Sequence, residues 1–379
     1  MKSPIDSKPT TPEHRTLGSR VAFTLLALAV FVPLFALAQS KPLMTIEEDV
    51  QAFAISPNNT IVFATQRIKR IKKAMVEHDD FWTADDGGHK KKIVDGEKFM
   101  PDDRQLSYQV ESMVWSPDSK RIVVKMDTSE IAQPQGTVVM QLDAQQTVRP
   151  NTVLYLMDAE GHTITVQGSN SRFVEGAYNG AWSADGSTLL YMSKPNGNYG
   201  EMASLRPSDG KITPLFPAHH FRAVVWDTKR DHAFGIEDSL TRLGQPKLER
   251  LDIGTQGIAE LFPVEEFAGY LSVSPSGNKI AFFRDGDTLE VHDLTSKQKS
   301  VQVRVAIGEF QWSKDELSVL LKRGDPQQSS DLLWVGLYSG QFDPFFHSLE
   351  YHQFQIAPDG RTIAVTQPGR RALSLFPLH

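Results

Sequence analysis

The chain has 379 residues, of which 40% are hydrophobic and 23% are charged, and this composition excludes an intrinsically disordered protein. A formal charge of −6 argues against nucleic acid as the partner. The absence of cysteine excludes disulfides, a thiol nucleophile and a cysteine-ligated zinc site.

The first distinctive element is an apolar segment near the N-terminus. Residues 21–32 are uninterrupted apolar or small residues behind Arg20, and Ala36 and Ala38 follow with the spacing of a signal-peptidase site. The run is shorter than the roughly 20 residues of a membrane-spanning helix. We therefore predict that residues 1–38 are a signal peptide, with an uncleaved N-terminal anchor as the alternative. The protein is expected in the periplasm or the extracellular space.

The rest of the chain repeats one phrase, which is an apolar run, then Ser or Ala, then a turn rich in Pro, Asp and Gly, then a second apolar run. Such a phrase is typical of a β-hairpin. Seven copies occur, at 53–65, 113–126, 181–193, 224–236, 271–284, 310–322 and 354–367. The later copies are spaced at roughly the 40–50 residues of a four-stranded propeller blade, and the first two spacings are longer.

A second hairpin pattern lies between consecutive phrases, so that four strands make one unit. Its six copies are at 81–94, 153–166, 202–216, 247–262, 288–303 and 332–346. The seventh unit has only 372–378, and we predict that strand 43–50 supplies its missing partner and closes the ring. The sequence therefore predicts an all-β, seven-bladed β-propeller of four-stranded antiparallel blades, in a single domain over residues 39–379.

The repeated turn ends at a position where the chain reverses and a positive φ is favoured. Glycine occupies this position in three copies, as Gly186, Gly277 and Gly360. Asn59 also tolerates a positive φ. Three other residues tolerate it less readily, so we predict that their turns differ: Ser119, Arg230 and Glu316.

The phrases WSPDSKRIVV, WSADGSTLLY and VSPSGNKIAF, each paired with an outer hairpin such as LYLMDAEGHTIT, resemble the TolB-type, WD40-like propeller repeat. They are also similar to the N-terminal propeller of prolyl-oligopeptidase-type peptidases. The resemblance covers about 43–378 and implies a propeller that serves as a docking module, a peptidase gate or, occasionally, an enzyme. The chain has no G-x-S-x-G pentapeptide and no room for a catalytic hydrolase domain.

A basic run in the first unit is the candidate partner-binding site. Long insertions are predicted at 67–79 and 127–150, and insertions of this kind often carry recognition. The run supplies five cations on an acidic protein: Arg67, Lys69, Arg70, Lys72 and Lys73. We predict that they attract an anionic partner, either an envelope protein or an anionic polymer, and the alternative is a solvated loop or an outward strand.

Other clusters have structural explanations. The four tryptophans that share one register are expected to pack between sheets rather than to form a ligand cage: Trp115, Trp182, Trp226 and Trp312. Three acidic pairs are expected in turns and loops: Asp79-Asp80, Asp85-Asp86 and Asp102-Asp103. The histidines at 347 and 352 lack the spacing of a zinc site. No catalytic, cofactor-binding or metal-binding residue is predicted.

The sequence favours an exported, non-catalytic and monomeric propeller that binds a protein or polymer of the cell envelope. The alternative is a propeller hydrolase or lyase that acts on a polymer through its central channel. Two carboxylates or a histidine cluster converging in the channel would favour the enzyme.

Overall fold

The computed structural model describes 41–71, 74–99, 106–130, 151–164, 173–175, 177–193, 200–227, 232–237, 245–265, 269–284, 288–304, 309–325, 329–348, 353–367 and 371–378. These residues form seven four-stranded antiparallel sheets, which are the seven predicted blades. The chain is thus an all-β, seven-bladed propeller. Its one described helix is the single turn α1 (Gly96–Phe99). In the described part of the chain, no helix has the length and apolar character needed to cross a membrane.

Each blade is built from strands that follow one another in sequence. Blade 1 contains β2 (Val50–Ile55), β3 (Ile61–Ile71), β4 (Ala74–Ala84) and β5 (Lys90–Val94). Blade 2 contains β6 (Leu106–Trp115), β7 (Arg121–Glu130), β8 (Asn151–Asp158) and β9 (Phe173–Glu175). Blade 3 contains β10 (Ala177–Trp182), β11 (Leu189–Ser193), β12 (Glu201–Arg206) and β13 (Lys211–Leu215). Blade 4 contains β14 (Phe221–Asp227), β15 (His232–Glu237), β16 (Lys247–Asp252) and β17 (Gly257–Pro263).

The last three blades repeat this order, and the final one borrows a strand. Blade 5 contains β18 (Gly269–Val273), β19 (Lys279–Arg284), β20 (Thr288–Asp293) and β21 (Lys299–Arg304). Blade 6 contains β22 (Phe310–Trp312), β23 (Ser318–Asp325), β24 (Ser329–Gly336) and β25 (Phe342–Ser348). Blade 7 contains β26 (Phe354–Ile356), β27 (Thr362–Gln367), β28 (Ala372–Pro377) and the N-terminal strand β1 (Met44–Ile46).

Strand β1 closes the ring as predicted, although it is shorter than the predicted strand 43–50. It pairs antiparallel with β28, with Met44 opposite Leu375 and Ile46 opposite Leu373. The chain must then cross from the outermost strand of blade 7 to the innermost strand of blade 1. Two tight backbone hydrogen bonds make this crossing, from Glu48 N to Ile46 O (3.0 Å) and from Val50 N to Glu48 O (2.9 Å). Val50 therefore belongs to blade 1.

One outer hairpin departs from the prediction. The fourth strand of blade 2 was expected within 153–166, but β9 lies at 173–175 and pairs with residues 153–155 of β8. Within the described residues 153–164 of the predicted hairpin, a single isolated bridge joins Met157 and Thr163. In the other blades, the paired outer strands lie where the second hairpin pattern predicts them.

The core lies between adjacent blades, and the four tryptophans pack there as predicted. All four side chains are buried. Three indole N–H groups donate hydrogen bonds to the preceding blade: Trp115 to Ala54 O (3.2 Å), Trp182 to Val114 O (3.3 Å) and Trp312 to Ser272 Oγ (3.1 Å). Because the partners are on the innermost strands, these bonds join neighbouring sheets next to the ring axis.

The two ends of the blades differ. Turns between the first and second strands, and between the third and fourth, leave from one end, which we call the turn rim. Connections between the second and third strands, and between blades, leave from the opposite end, which we call the connection rim. This follows from the antiparallel strand order of every sheet. Both predicted insertions connect a second strand to a third, so they belong to the connection rim.

The predicted difference between the repeated turns was wrong for Ser119 and Glu316. Their φ angles are both 58°, close to the 72° of Gly360 and the 68° of Gly186. Each turn closes with the same backbone hydrogen bond, such as Ser119 N to Ser116 O (2.9 Å). Glu316 has an additional constraint, because its carboxylate accepts hydrogen bonds from the backbone N and Oγ of Ser276 in blade 5. Arg230 lies outside the described residues.

We expect Ser119→Gly to raise the free energy of unfolding by about 0.5–1 kcal/mol, because glycine adopts a positive φ without the steric penalty of a side chain. The control is Ser187→Gly, since Ser187 is a serine of the equivalent turn in blade 3 but its φ is not positive. That control should be neutral or destabilising. Urea unfolding of both variants measures the difference, and equal effects would contradict the strained turn.

Candidate functional site

The basic run lies in a two-stranded extension of blade 1 on the connection rim. Strands β3 and β4 pair over their whole length, from Ile61 opposite Ala84 to Ile71 opposite Ala74. Strand β2 pairs with β3 only at 61–65, and β5 pairs with β4 only at 81–84. Residues 66–71 and 74–80 therefore continue as a hairpin beyond the four-stranded sheet. We call this hairpin the ribbon.

The structure places three of the five candidate cations on one strand of the ribbon. Arg67, Lys69 and Arg70 lie in β3, whereas Lys72 and Lys73 lie outside the described residues. The predicted insertion at 67–79 is thus mainly strand. Arg67 is 48% exposed, so its guanidinium is accessible to a partner. Of the other insertion, 127–130 belongs to β7 and 131–150 lies outside the described residues.

Arg67 has an internal counter-ion that the sequence analysis missed. Its Nε lies 3.3 Å from Oδ2 of Asp80, and Lys92 Nζ lies 2.6 Å from the same oxygen. The other oxygen, Oδ1, accepts a hydrogen bond from Gly96 N at 3.0 Å. Two cations share one carboxylate, so this group carries a net positive charge on the surface of blade 1.

Asp80 is buried within strand β4, so the predicted turn or loop position of the pair Asp79-Asp80 was wrong. Burial acts to raise the pKa of Asp80, but hydrogen bonds from Lys92, Gly96 and Arg67 outweigh it and lower the pKa below its usual value. Asp79 accepts a hydrogen bond from Val110 N of blade 2 at 2.8 Å. Asp85-Asp86 is in a turn as predicted, and Asp102-Asp103 lies outside the described residues.

A cavity of about 650 Å³ opens beside Arg67, at the junction of blades 7 and 1. Its charged lining is mixed: Lys41, Arg67, Arg371, Glu47, Glu48 and Asp49. Two of these carboxylates have cationic partners, since Glu48 Oε1 lies 2.5 Å from Lys90 Nζ and Asp49 Oδ2 lies 3.9 Å from Arg371 Nε. The cavity provides space next to the ribbon, but its balanced charge does not select an anion.

The central channel is the second candidate site. A cavity of about 570 Å³ is lined by the innermost strands of blades 1, 2, 6 and 7. Glutamines there join neighbouring blades. Gln311 Oε1 accepts a hydrogen bond from Ile356 N (2.7 Å), and Gln355 Oε1 accepts one from Ile55 N (2.9 Å). These bonds satisfy backbone groups at the edges of the innermost strands, which explains part of the polar lining.

Two carboxylates also line the channel, and each has a lysine partner on the second strand of its own blade. Glu111 is paired with Lys125, and Glu309 Oε2 lies 3.9 Å from the buried Lys322 Nζ. A hydrogen bond with Asp127, together with burial, raises the pKa of Glu111, while the ion pair with Lys125 opposes this shift. Burial lowers the pKa of Lys322.

One described group has the residue types of a metal site. Ligand atoms of Asp158, Glu160 and His162 lie within 4.8 Å of one another on an exposed turn of blade 2. Hydrogen bonds within the turn already account for this geometry, because Asp158 Oδ1 accepts from the backbone N of Glu160 (3.0 Å) and of His162 (2.7 Å). A turn of the same form, closed by Asp85 and His89, occurs in blade 1. The arrangement is explained as turn chemistry.

Sequence reasoning missed Asp80 and Glu111 for the same reason. Each was one polar residue among many, and its significance depends on partners brought close by strand pairing. A signal was present for Asp80, since it follows His78 in a strand-like alternation and precedes the apolar pair Phe81-Trp82. For Glu111 the signal was its place on an innermost strand, two residues before Met113.

Comparisons with known proteins support the fold. No model of a known protein family matches the sequence, and no curated protein matches it. Solved structures do match, among them a chain from the "Crystal Structure of Mitotic Checkpoint Complex", with a TM-score of 0.57 and 10% sequence identity. The match covers 90% of this chain and 96% of that chain. At this identity the likeness shows the propeller fold alone and no shared activity.

Proposed function

We propose that this chain is an exported, non-catalytic propeller of the TolB type that binds an anionic protein or polymer of the cell envelope through the ribbon of blade 1. The ribbon is the observation that carries the proposal. It extends beyond the sheet, while the faces of the blades are occupied by packing between neighbours. Recognition in such a ring falls on the rims, the channel mouth and the extensions.

The charges of blade 1 support an anionic partner. Arg67 and Lys92 converge on a single buried carboxylate and remain partly exposed. Lys69 and Arg70 follow in the same strand. Exposed cations such as Arg67 and Lys92 attract an oppositely charged partner at long range, and salt weakens the attraction. A protein partner also agrees with the fold, since the propeller of the mitotic checkpoint structure comes from a protein complex.

Replacing Arg67, Lys69, Arg70, Lys72 and Lys73 by Gln should abolish most binding to immobilised poly-glutamate at low salt, while the melting temperature changes little. Arg67 is half exposed, and without it Asp80 still accepts hydrogen bonds from Lys92 and Gly96 N, so the fold should persist. The matched control replaces five exposed cations of the turn rim by Gln: Lys120, Lys211, Lys297, Lys314 and Arg361. This control should retain binding. Equal binding by both variants, or binding that persists at about 0.5 M salt, would exclude the ribbon as the anion-binding surface.

Export is the second part of the proposal and has its own measurement. We expect the intact mass of the exported protein to correspond to a chain that starts at Gln39. Retention of residues 1–38 in the membrane fraction would instead support the uncleaved anchor.

A propeller hydrolase or lyase is the alternative function, and Glu111 is the observation that favours it. Glu111 lines the channel and its pKa is raised, and a carboxyl of this kind can serve as a general acid. If the protein degrades envelope polysaccharides or peptides, Glu111→Gln should abolish the degradation and leave the ribbon's binding of poly-glutamate unchanged. If the Glu111→Gln variant degrades the polymer at the same rate as the unmodified protein, Glu111 has no catalytic role.

A further inference from the structure

The channel cavity of about 570 Å³ differs from the cavity beside Arg67 in the charge of its lining. Among the described residues that line the channel cavity, only Glu111 of blade 2 and Glu309, just before β22 of blade 6, are charged. Their side chains are 37% and 50% exposed. Blades 7 and 1 lie between these two walls, so the carboxylates reach the cavity from different sides. The lining is therefore acidic, whereas the charges beside Arg67 are balanced.

The lysine partners of the two carboxylates lie behind the channel wall. Lys125 and Lys322 are on second strands, and neither is among the residues that line the cavity. The Nζ atom of Lys322 is 3.9 Å from Oε2 of Glu309, which is long for an ion pair. A hydrogen bond with Asp127, together with burial, raises the pKa of Glu111 although Lys125 opposes the shift. The wall therefore presents negative charge to the cavity that its lysines do not cover.

The hydrogen-bond donors of the channel wall are largely occupied. The backbone N–H groups of Ile55 and Ile356 donate to the side-chain oxygens of Gln355 and Gln311. The Nε2 atom of Gln311 in turn donates to Phe354 O at 3.0 Å. An anionic ligand would therefore meet two carboxylates and few free donors. A ligand that brings a positive charge and its own donors would meet acceptors.

The polarity of the lining changes along the channel. The innermost strands run from the connection rim to the turn rim, and Glu111 and Glu309 precede the other lining residues of their blades, so both lie towards the connection rim. Three prolines follow the ends of these strands at the turn rim: Pro57, Pro117 and Pro358. Val114, which is 39% exposed, adds an apolar side chain to the lining. The cavity thus has an acidic end and a more apolar end.

We propose that the central channel binds a primary ammonium group on an aliphatic chain, with the ammonium at Glu111 and Glu309 and the chain directed towards the turn rim. An ammonium group offers three donors and a positive charge, and carboxylates are its strongest acceptors. A lysine side chain of a peptide and a free aliphatic amine share this chemistry. The site goes beyond the proposed function, since it lies in the channel and selects the opposite charge from the ribbon.

Three small probes test the channel site by titration calorimetry with the purified protein. They are n-pentylamine, N-acetyl-lysine-N-methylamide and N-acetyl-norleucine-N-methylamide, the last of which has an aliphatic side chain without the ammonium group. We expect the amines to bind and the norleucine derivative to bind at least about tenfold more weakly than the lysine derivative. Tighter binding of the lysine derivative than of pentylamine would assign the site to a peptide, and the reverse order would assign it to a free amine.

Variants of the two carboxylates locate the binding. Glu309→Gln and Glu111→Gln should each weaken binding of the preferred amine by about tenfold or more. The matched control is Glu160→Gln in an exposed turn of blade 2, which should leave amine binding unchanged. If Glu309→Gln fails to fold because the buried Lys322 loses its partner, Glu111→Gln still tests the site, since Lys125 is more exposed.

Three results would overturn the channel site. They are no binding of either amine, equal affinity for the lysine and norleucine derivatives, and a Glu111→Gln variant that folds and binds the amines as tightly as the unmodified protein. None of these results bears on the ribbon, because retention on poly-glutamate is measured separately and decides whether the proposed function stands.

Discussion

Removal of residues 41–46 is expected to lower the free energy of unfolding by about 3–5 kcal/mol and the melting temperature by about 5–10 °C. The deletion takes away β1, which is the fourth strand of blade 7 and pairs with β28 over three residues. Ile46 is only 2% exposed and packs in the cluster between blades 7 and 1, together with Phe53 and Leu373. Its loss leaves a cavity there and an unpaired edge on β28.

Two point variants test whether the stability comes from the buried side chain of β1 or simply from the presence of the additional residues. Ile46→Ala should account for about half or more of the loss, because it removes a fully buried aliphatic side chain. Leu43→Ala is the matched control, since Leu43 is 64% exposed and keeps its backbone hydrogen bond to Leu375 O. Thermal unfolding followed by circular dichroism measures all three proteins. A deletion variant that melts at the same temperature as the unmodified protein would contradict closure by β1.

The second large effect is expected at Asp80, where Asp80→Ala should lower the free energy of unfolding by about 1–3 kcal/mol at neutral pH. The buried carboxylate binds Arg67, Lys92 and Gly96 N, so its removal leaves a buried amide without its acceptor and two cations without their counter-ion. The expected loss lies below that of a fully buried ion pair, because both cations are more than one-third exposed and water screens them.

The stability that Asp80 contributes should decrease as the pH falls. The folded state holds the pKa of Asp80 below its usual value, so the carboxylate contributes stability above its unfolded pKa of about 3.9, and this contribution disappears as the pH falls through the folded pKa. The difference in free energy of unfolding between the unmodified protein and Asp80→Ala should therefore be smaller at acid pH.

Asp86→Ala provides the control for Asp80, since Asp86 is an exposed turn residue. It should cost less than about 0.5 kcal/mol at either pH. Asp80→Asn keeps an acceptor for Gly96 N but removes the charge, so its loss should be smaller than that of Asp80→Ala. Urea unfolding at about pH 7 and about pH 3 compares these variants. If Asp80→Ala loses the same free energy of unfolding at both pH values, packing and not the ion pairs explains the effect.

Several features of the fold could be predicted because they depend on local, repeated patterns. Each hairpin is encoded by a turn between two apolar runs, and seven copies in order predict seven blades. The strand from Ala372 lacked an outer partner within its own unit, which indicated closure by the N-terminal strand. The shared register of Trp115, Trp182 and Trp312 indicated their packing between blades, since a side chain repeated at one place in each unit meets the same neighbour.

By itself, the sequence determined the propeller, the number of its blades, the strand that closes it and the place of the basic run in the first blade. Only the tertiary structure showed that the run continues as a paired ribbon, that Asp80 holds Arg67 and Lys92, and that Glu111 lines the channel and is paired with Lys125. It also imposed a positive φ on Ser119 and Glu316, against the preference of these residues. The physical reason is the range of the interactions. A hairpin is specified by residues a few positions apart, whereas a counter-ion, a buried carboxyl or a strained turn is decided by partners that strand register and neighbouring blades bring together.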